Sequence, residues 1–247
     1  MQKVELLAVP GLPLVKAGDD LARLIGDRLT GELALKPGDV VVLAQKIVSK
    51  AEGRMVDLAT VKPSPRAVEL AAEVLKDPRL VELILSESMR VVRSRPNVLI
   101  VEHKLGLIMA NAGIDQSNVA PQDGVERALL LPKDPDASAE ALRTRLGVSA
   151  VLIIDSFRPW RKGTTGVAIG AAGLPSFIDM RGQTDMFGRV LQVTMPAFAD
   201  EIAAAASLVM GQAAEALPVV IVRGLSWSAP STPARDLIRA SGEDLFR

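Results

Sequence analysis

The chain has 247 residues, room for one large domain with a sizeable core or for two intertwined lobes. Apolar residues make up 49 % but aromatics only 3 %, with no Tyr, so the core must be aliphatic and Ala-rich. A formal net charge of zero gives no support for general attraction to nucleic acid or a membrane, and the absence of Cys excludes disulfides, thiolate metal sites and a cysteine nucleophile.

These features fit a cytoplasmic protein. The first residues, MQKVELLAVPG, lack the long apolar region of a signal peptide. The most apolar helical run, Ile202 to Met210, is too short to span a bilayer and is bounded by Asp200, Glu201, Gln212 and Glu215.

In chain order, Lys3 to Val9 reads as a strand, turned by Pro10-Gly11-Leu12-Pro13. Asp19 is the expected N-cap of a helix over LARLIGDRL. Val40 to Leu43 is an apolar strand leading into AQKIVSKAEGR. Ser64-Pro65 opens a helix at RAVELAAEVLK, with Ser64 as cap and Pro65 at the first helical position. Asp77-Pro78 starts another helix, to about Ser86. Val98 to Glu102 and Gly106 to Met109 form a predicted hairpin around Lys104-Leu105. From Val119 to Ala137 the chain reads as loop, interrupted by ALLL, and Ser138 to Leu146 as a short helix. Strands are predicted at Val151 to Ile154, Leu174 to Ile178, Val190 to Val193 and Pro218 to Val222, with a helix from Pro196 to Met210. There is no internal repeat. Strands and helices mix without a βαβ rhythm, which predicts a mixed α+β fold and no doubly wound sheet.

The stretch Val151 to Gly170 organises the chemistry. Its strand ends at Asp155, which is well placed to hold a hard cation by oxygen. Arg158, Arg161 and Lys162 follow and suit phosphates or carboxylates. Read blandly, this is a strand, a turn and a solvated basic loop. Asp115, in NAGIDQSN, also follows an apolar strand, so it either belongs to a turn or joins Asp155 as a ligand to Mg²⁺ or Mn²⁺. Gly11 to Leu14 and the segment Gln45, Lys46 to Lys50 each follow a strand. They read as ordinary turns or as backbone N–H groups and lysines that meet an anion. No P-loop and no G-x-G-x-x-G occurs. His103, the only histidine, reads as a hairpin residue rather than a catalyst, and no Ser-His-Asp set is evident. Gly211, Gln212 and Glu215 read as a helix end, with ligand contacts from the exposed turn as the functional addition.

Taken together, GLPLVKAGDD, AQKIVSKAEGR, NAGIDQSNV, IID…RPWRKG…GVAIG, DMFGRVLQVT, ADEIAAAASLVMGQ and PVVIVRGL resemble the coenzyme F-420-0:L-glutamate ligase family. They occur in that family's order and run to about Leu225. The resemblance implies a ligase domain over 1–225, with two interleaved lobes, and a C-terminal tail over 226–247. It implies an intertwined, non-Rossmann homodimer that uses GTP and Mg²⁺ or Mn²⁺ to add L-glutamate to the deazaflavin precursor. By the same carry-over, nucleotide contacts fall on Gly11, Leu12, Pro13, Leu14, Gln45, Lys46, Lys50, Asn118, Met210, Gly211, Gln212, Ala213, Ala214, Glu215, Ala216 and Leu217. Metal contacts fall on Asp115, Asp155, Ser156 and Gln212. In the mechanism it implies, Lys50 neutralises the transferred phosphoryl group, and Arg158 and Arg161 are candidates to hold a carboxylate or phosphate. One departure stands out: Asp155-Ser156 is followed by Phe157 and directly by Arg158, where the family commonly has Asp-Thr, two residues including Gly, then Arg. The competing readings are a catalytically altered nucleotide-binding protein, a ligase for another carboxylate acceptor, and a metal-free binding module for a small molecule.

Overall fold

A computed structural model describes residues 3–117, 124–159 and 161–245. In chain order it comprises β1 (Glu5–Ala8), α1 (Leu21–Gly26), β2 (Val40–Ala44), α2 (Gln45–Ala51), β3 (Met55–Asp57), α3 (Pro65–Val74), α4 (Pro78–Ser86) and β4 (Ser88–Arg95). Then come β5 (Val98–His103), β6 (Ile108–Ala110), β7 (Arg127–Leu129), α5 (Pro135–Leu146), β8 (Ala150–Ser156), β9 (Gly166–Ala172), α6 (Phe198–Met210) and β10 (Val219–Arg223).

The largest sheet has five strands in the order β1-β10-β2-β8-β9. Only β2 and β8 run parallel; the other pairings are antiparallel. Both faces of its central strands are covered, so those strands read as continuous apolar runs rather than alternating ones. Val41, Leu43, Val151, Ile153 and Ile221 pack with residues of α1, α2 and α5 on one face. Val40, Val42, Leu152, Ile154 and Val220 pack with α6 on the other. Burying each such side chain contributes about 1.5–3 kcal/mol, so these two layers dominate the fold. Ala234 is also buried in the second layer, and Trp227 and Leu237 pack against it.

A second lobe packs α3 and α4 against the three-stranded sheet β4-β5-β6 and the β3–β7 pair. Here the local signals agree with the structure. Ser64 Oγ accepts from Ala67 N at 3.2 Å and Asp77 Oδ1 from Arg79 N at 2.7 Å, each ahead of a Pro in the first turn. The β5–β6 hairpin forms as expected.

Several expectations are corrected. Asp20, not Asp19, caps α1 by accepting from Arg23 N at 3.0 Å; Asp19 accepts from Lys16 N. The helix expected from Ser138 starts at Pro135, because Asp134 accepts from Ala137 N and caps it. ALLL contributes to strand β7. Neither Leu174–Ile178 nor Val190–Val193 is a strand. The region folds instead as an irregular hairpin arm, held by Ile178 N to Pro196 O and Gly182 N to Leu191 O, with one isolated bridge at Thr184–Val190.

The glycine-bearing stretch after Arg158 becomes edge strand β9. A Cβ on Gly166 would lie 2.3 Å from Ala203 O, and one on Gly170 would lie 2.3 Å from Pro135 O. These glycines let α6 and α5 press onto the strand. The edge N–H groups are occupied: Ala168 N donates to Asp200 Oδ1 and Ala171 N to Asp136 Oδ1, both at 2.9 Å.

Candidate functional site

The parallel pairing of β2 with β8 ends at Ala44 and Ile154, and β8 runs on to Ser156. A cavity of about 850 Å³ opens beyond these carboxyl ends, where open sheets commonly place ligands. Leu12, Pro13 and Leu14, after β1, form one wall. Gln45, Lys46 and Lys50, from α2, form another. Asp115, Asp155 and Ser156 line it from the β6–β7 segment and the end of β8. The turn after α6 contributes Met210, Gly211, Gln212, Ala213, Ala214, Glu215, Ala216 and Leu217. Segments far apart in sequence, expected to act together, do share one cavity.

Asp115 and Lys46 form an ion pair at 2.5 Å. Ser117 completes the cluster: its N–H donates to Asp115 Oδ1 at 2.6 Å, its hydroxyl to Oδ2 at 3.0 Å, and its Oγ accepts from Lys46 Nζ at 3.0 Å. Burial pushes the Asp115 carboxyl up, yet Lys46 and Ser117 bring it below the usual range. Asp155 goes the other way. Burial raises it, and the negative charge of Asp115 adds to that against the pull of the Ser156 N–H and Lys46. Burial and the neighbouring Lys46 together lower the Lys50 ammonium, opposed by Asp115. Two carboxylates and two lysines therefore feel one another across this space. Perturbed groups gathered in a cleft are the physical signature of a functional site.

Gln212 Nε2 donates to Ser156 Oγ at 3.0 Å, which joins two of the expected metal contacts. Among the described residues no group of three or more His, Cys, Asp or Glu side chains forms a cage. Two carboxylates with neutral Ser and Gln oxygens fit a hard divalent cation that takes its remaining ligands from phosphate and water. The raised Asp155 carboxyl fits the same reading, because a cation there would favour its charged form.

The backbone near the cavity is strained. Asn111, Ala112 and Gly113 have φ of +53°, +55° and +66° in succession, just before Asp115. Ala216, in the turn after α6, has φ +55°. Such conformations cost L-residues roughly 1–2 kcal/mol each.

Not every expected residue arrives. Gly11, with φ +73°, makes the turn but does not line the cavity. Neither do Arg158 and Arg161. Arg158 folds back on its own loop, donating from Nη2 to Lys162 O at 2.6 Å; Arg161 is exposed. Phe157 packs against the core beneath. Asn118 lies outside the described residues. Conversely, Thr164 and Ser207 line the cavity without having been expected. Their sequence surroundings carry no signal; only the close packing of α6 on β9 brings Ser207 there. His103 is buried in the second lobe, where Nδ1 accepts from Leu105 N, and it does not line the cavity.

The family model described as F420-0:Gamma-glutamyl ligase matches residues 11–224. The chain belongs to this family. It is 46 % identical to the coenzyme F420:L-glutamate ligase of Methanothermobacter thermautotrophicus, over 99 % of each chain. It is 44 % identical to that of Methanopyrus kandleri, over 98 % of each. With the protein of the same name from Methanocaldococcus jannaschii the identity is 40 %, over 100 % of this chain and 98 % of the other. No helix among the described residues is long and apolar enough to cross a membrane.

Proposed function

We propose that this chain is a ligase that adds L-glutamate to the deazaflavin coenzyme precursor F420-0, using GTP and Mg²⁺ or Mn²⁺. The observation that carries the reading is the meeting of Asp115, Asp155, Lys46 and Lys50 with the turn after α6 around one cavity. The family description supplies the acceptor, and the names of the relatives supply the amino acid. The sequence resemblance supplies the nucleotide.

In this reading the terminal carboxylate of the acceptor attacks the γ-phosphate of GTP, giving an acyl phosphate and GDP. The glutamate α-amine then attacks the acyl carbon. The amine loses its proton, the amide forms and phosphate leaves. Phosphoryl transfer is mainly a matter of positioning and charge neutralisation. Lys50 and Lys46 would meet phosphate charge from one side; Lys46 must then share itself between Asp115 and the ligand. Asp115, Asp155, Ser156 and Gln212 would hold the divalent ion, which would supply charge neutralisation for the phosphoryl group. Arg158 and Arg161 carry none of this argument. A role for them in holding a carboxylate would require the loop after β8 to turn towards the cavity.

That loop also motivates a second reading, a ligase with another carboxylate acceptor, because the shortened segment turns Arg158 onto Lys162 O. Mass spectrometry separates the two. Incubation with GTP, Mn²⁺ and L-glutamate should add one or more glutamyl units to F420-0. Phosphate release with no glutamyl adduct on F420-0 would reject this acceptor, and neither product would reject the ligase reading.

We also propose that the chain acts as a homodimer. The arm between 178 and 196 exposes Met186, Phe187 and Val193 to 89 %, 87 % and 84 %. Large apolar side chains left exposed along one arm favour burial against another surface. Light scattering at micromolar concentration should give twice the 26.2 kDa chain mass; the monomer mass alone would contradict it.

A further inference from the structure

Gln45 is a full-length polar side chain almost wholly inside the protein, at 2 % exposure, and it lines the cavity. Burying a carboxamide is costly unless its oxygen and its nitrogen both find partners. Its oxygen is provided for. Ser49, one turn along α2 and itself 0 % exposed, donates from Oγ to Gln45 Oε1 at 2.8 Å. Its nitrogen is not. Gln45 Nε2 makes no hydrogen bond among the described residues, and it is not one of the fully enclosed side-chain atoms left without a partner. An unpartnered nitrogen that is not enclosed, on a buried side chain lining a cavity, opens onto that cavity.

We infer that Gln45 is a fixed hydrogen-bond donor in the cavity wall, and that Ser49 is the positioning residue that fixes it. With Oε1 held by Ser49, only the Nε2–H groups can address a ligand. The site therefore presents a donor where a freely rotating amide would present either group. Its partner is an acceptor oxygen of the bound ligand, from a phosphate, a ribose or a carbonyl. Ser49 touches no ligand and acts through Gln45. The inference rests on the nucleotide reading of this cavity and adds to it the direction of one hydrogen bond and the residue that sets it.

The test is calorimetric titration of GDP with Mn²⁺ into wild type, Gln45→Met, Ser49→Ala and the double variant. Gln45→Met keeps the approximate shape and removes the donor, so GDP affinity should fall on the order of tenfold, as for a hydrogen bond to a charged or strongly polar acceptor. Ser49→Ala frees the amide to rotate and should weaken GDP severalfold. In the Gln45→Met background the same Ser49→Ala change should have no further effect on affinity, because there is no amide left to orient. A purely structural Ser49 would instead lower the ligand-free melting temperature and leave GDP affinity unchanged. Wild-type affinity in Ser49→Ala, or a loss that adds in full to that of Gln45→Met, overturns the inference while leaving the nucleotide site standing. Failure of the wild type to bind GDP overturns the nucleotide reading and this inference with it. A separate readout is the ¹⁵N–¹H₂ side-chain resonance pair of Gln45. Addition of GDP should shift it in the wild type; a pair insensitive to GDP, with the Ser49 hydroxyl contacting nitrogen instead, would mean the reverse amide orientation and would also overturn the inference.

Discussion

The α3–α4 lobe and the cavity wall are built on opposite terms. In the lobe the requirements of the helix starts and the apolar cluster are met from nearby sequence, although His103 Nε2 is buried without a hydrogen-bond partner among the described residues. Ser64 and Asp77 cap their helices, prolines open them, and Leu70, Val74, Val81 and Ile84 close one apolar cluster. At the cavity the chain leaves requirements open. Among the described residues, α2 starts without a side-chain cap, Gln45 lacks a partner for its nitrogen, Asp155 is held where its charge is disfavoured, and Ala216 takes left-handed backbone. A fold tolerates such debts when the rest of the structure over-determines them, and they gather where a ligand completes the set.

Substitutions can break this contrast from either side. The largest effect is expected in the lobe. Ile84→Ala empties a fully buried site and should cost about 2–5 kcal/mol of stability, read by denaturant unfolding, with GDP affinity unchanged in the folded protein. Equal losses of stability and affinity would show that the two regions are one unit.

At the cavity the reverse is expected. Asp155→Asn keeps size and removes charge. Divalent-ion affinity should drop, and turnover should fall on the order of a hundredfold, because the phosphoryl group loses its main counter-charge. The ligand-free melting temperature should stay near wild type, since the raised carboxyl shows that its charge is no asset to the empty fold. Full activity in this variant would return Asp155 to the role of a turn residue.

Acid sharpens the comparison. In the lobe, His103 and Arg54 hold the half-buried Glu87 carboxyl below its usual value, Arg54 Nη2 being the shorter contact at 2.6 Å and His103 Nε2 standing at 3.7 Å. A carboxyl depressed in the folded state contributes stability that is fully present above its unfolded value near 4.5 and is lost as pH falls through the folded value. The stability gap between wild type and Glu87→Gln should therefore be widest near neutrality and shrink below about pH 4.5. A gap constant with pH would remove the charge from the explanation.

The smallest effect expected is a gain. Ala112→Gly relieves a left-handed alanine that is wholly buried, and should raise stability by about 0.5–1 kcal/mol. If strain here serves to hold Asp115 in place, metal-dependent binding should weaken at the same time. Lower stability would mean that the buried Ala112 methyl contributes more than the strain costs.

The same contrast explains what the sequence discloses. The lobe was legible because its signals are local: a cap, a proline and a 3.6-residue apolar period lie within a few residues of one another. Asp115 and Asp155 were legible as carboxylates following apolar strands. Their link to Lys46 was not, because it depends on the β6–β7 segment bringing Asp115 beside α2 and on β8 pairing with β2 to bring Asp155 there. β9 was missed because Gly166 and Gly170 serve helix packing, so its composition argues against a strand. β4, SMRVVRSR, lies half exposed and lacks a clean apolar alternation. Arg158 was expected at the cavity from its charge and from the family resemblance, yet the residue before it, Phe157, anchors the loop to the core and Arg158 turns to Lys162 O. Ser49 gave no signal at all, since an orienting hydroxyl inside a helix looks like any other serine.

The central claim is that the cavity beyond β2 and β8 is a metal-assisted nucleotide site. Calorimetry of GDP binding to the wild-type chain, once with Mn²⁺ and once with EDTA, tests it most directly. The pairing of Asp115 with Asp155 beside Lys46 and Lys50 predicts clearly tighter binding with Mn²⁺. Equal affinity in the two conditions, or none in either, would contradict it.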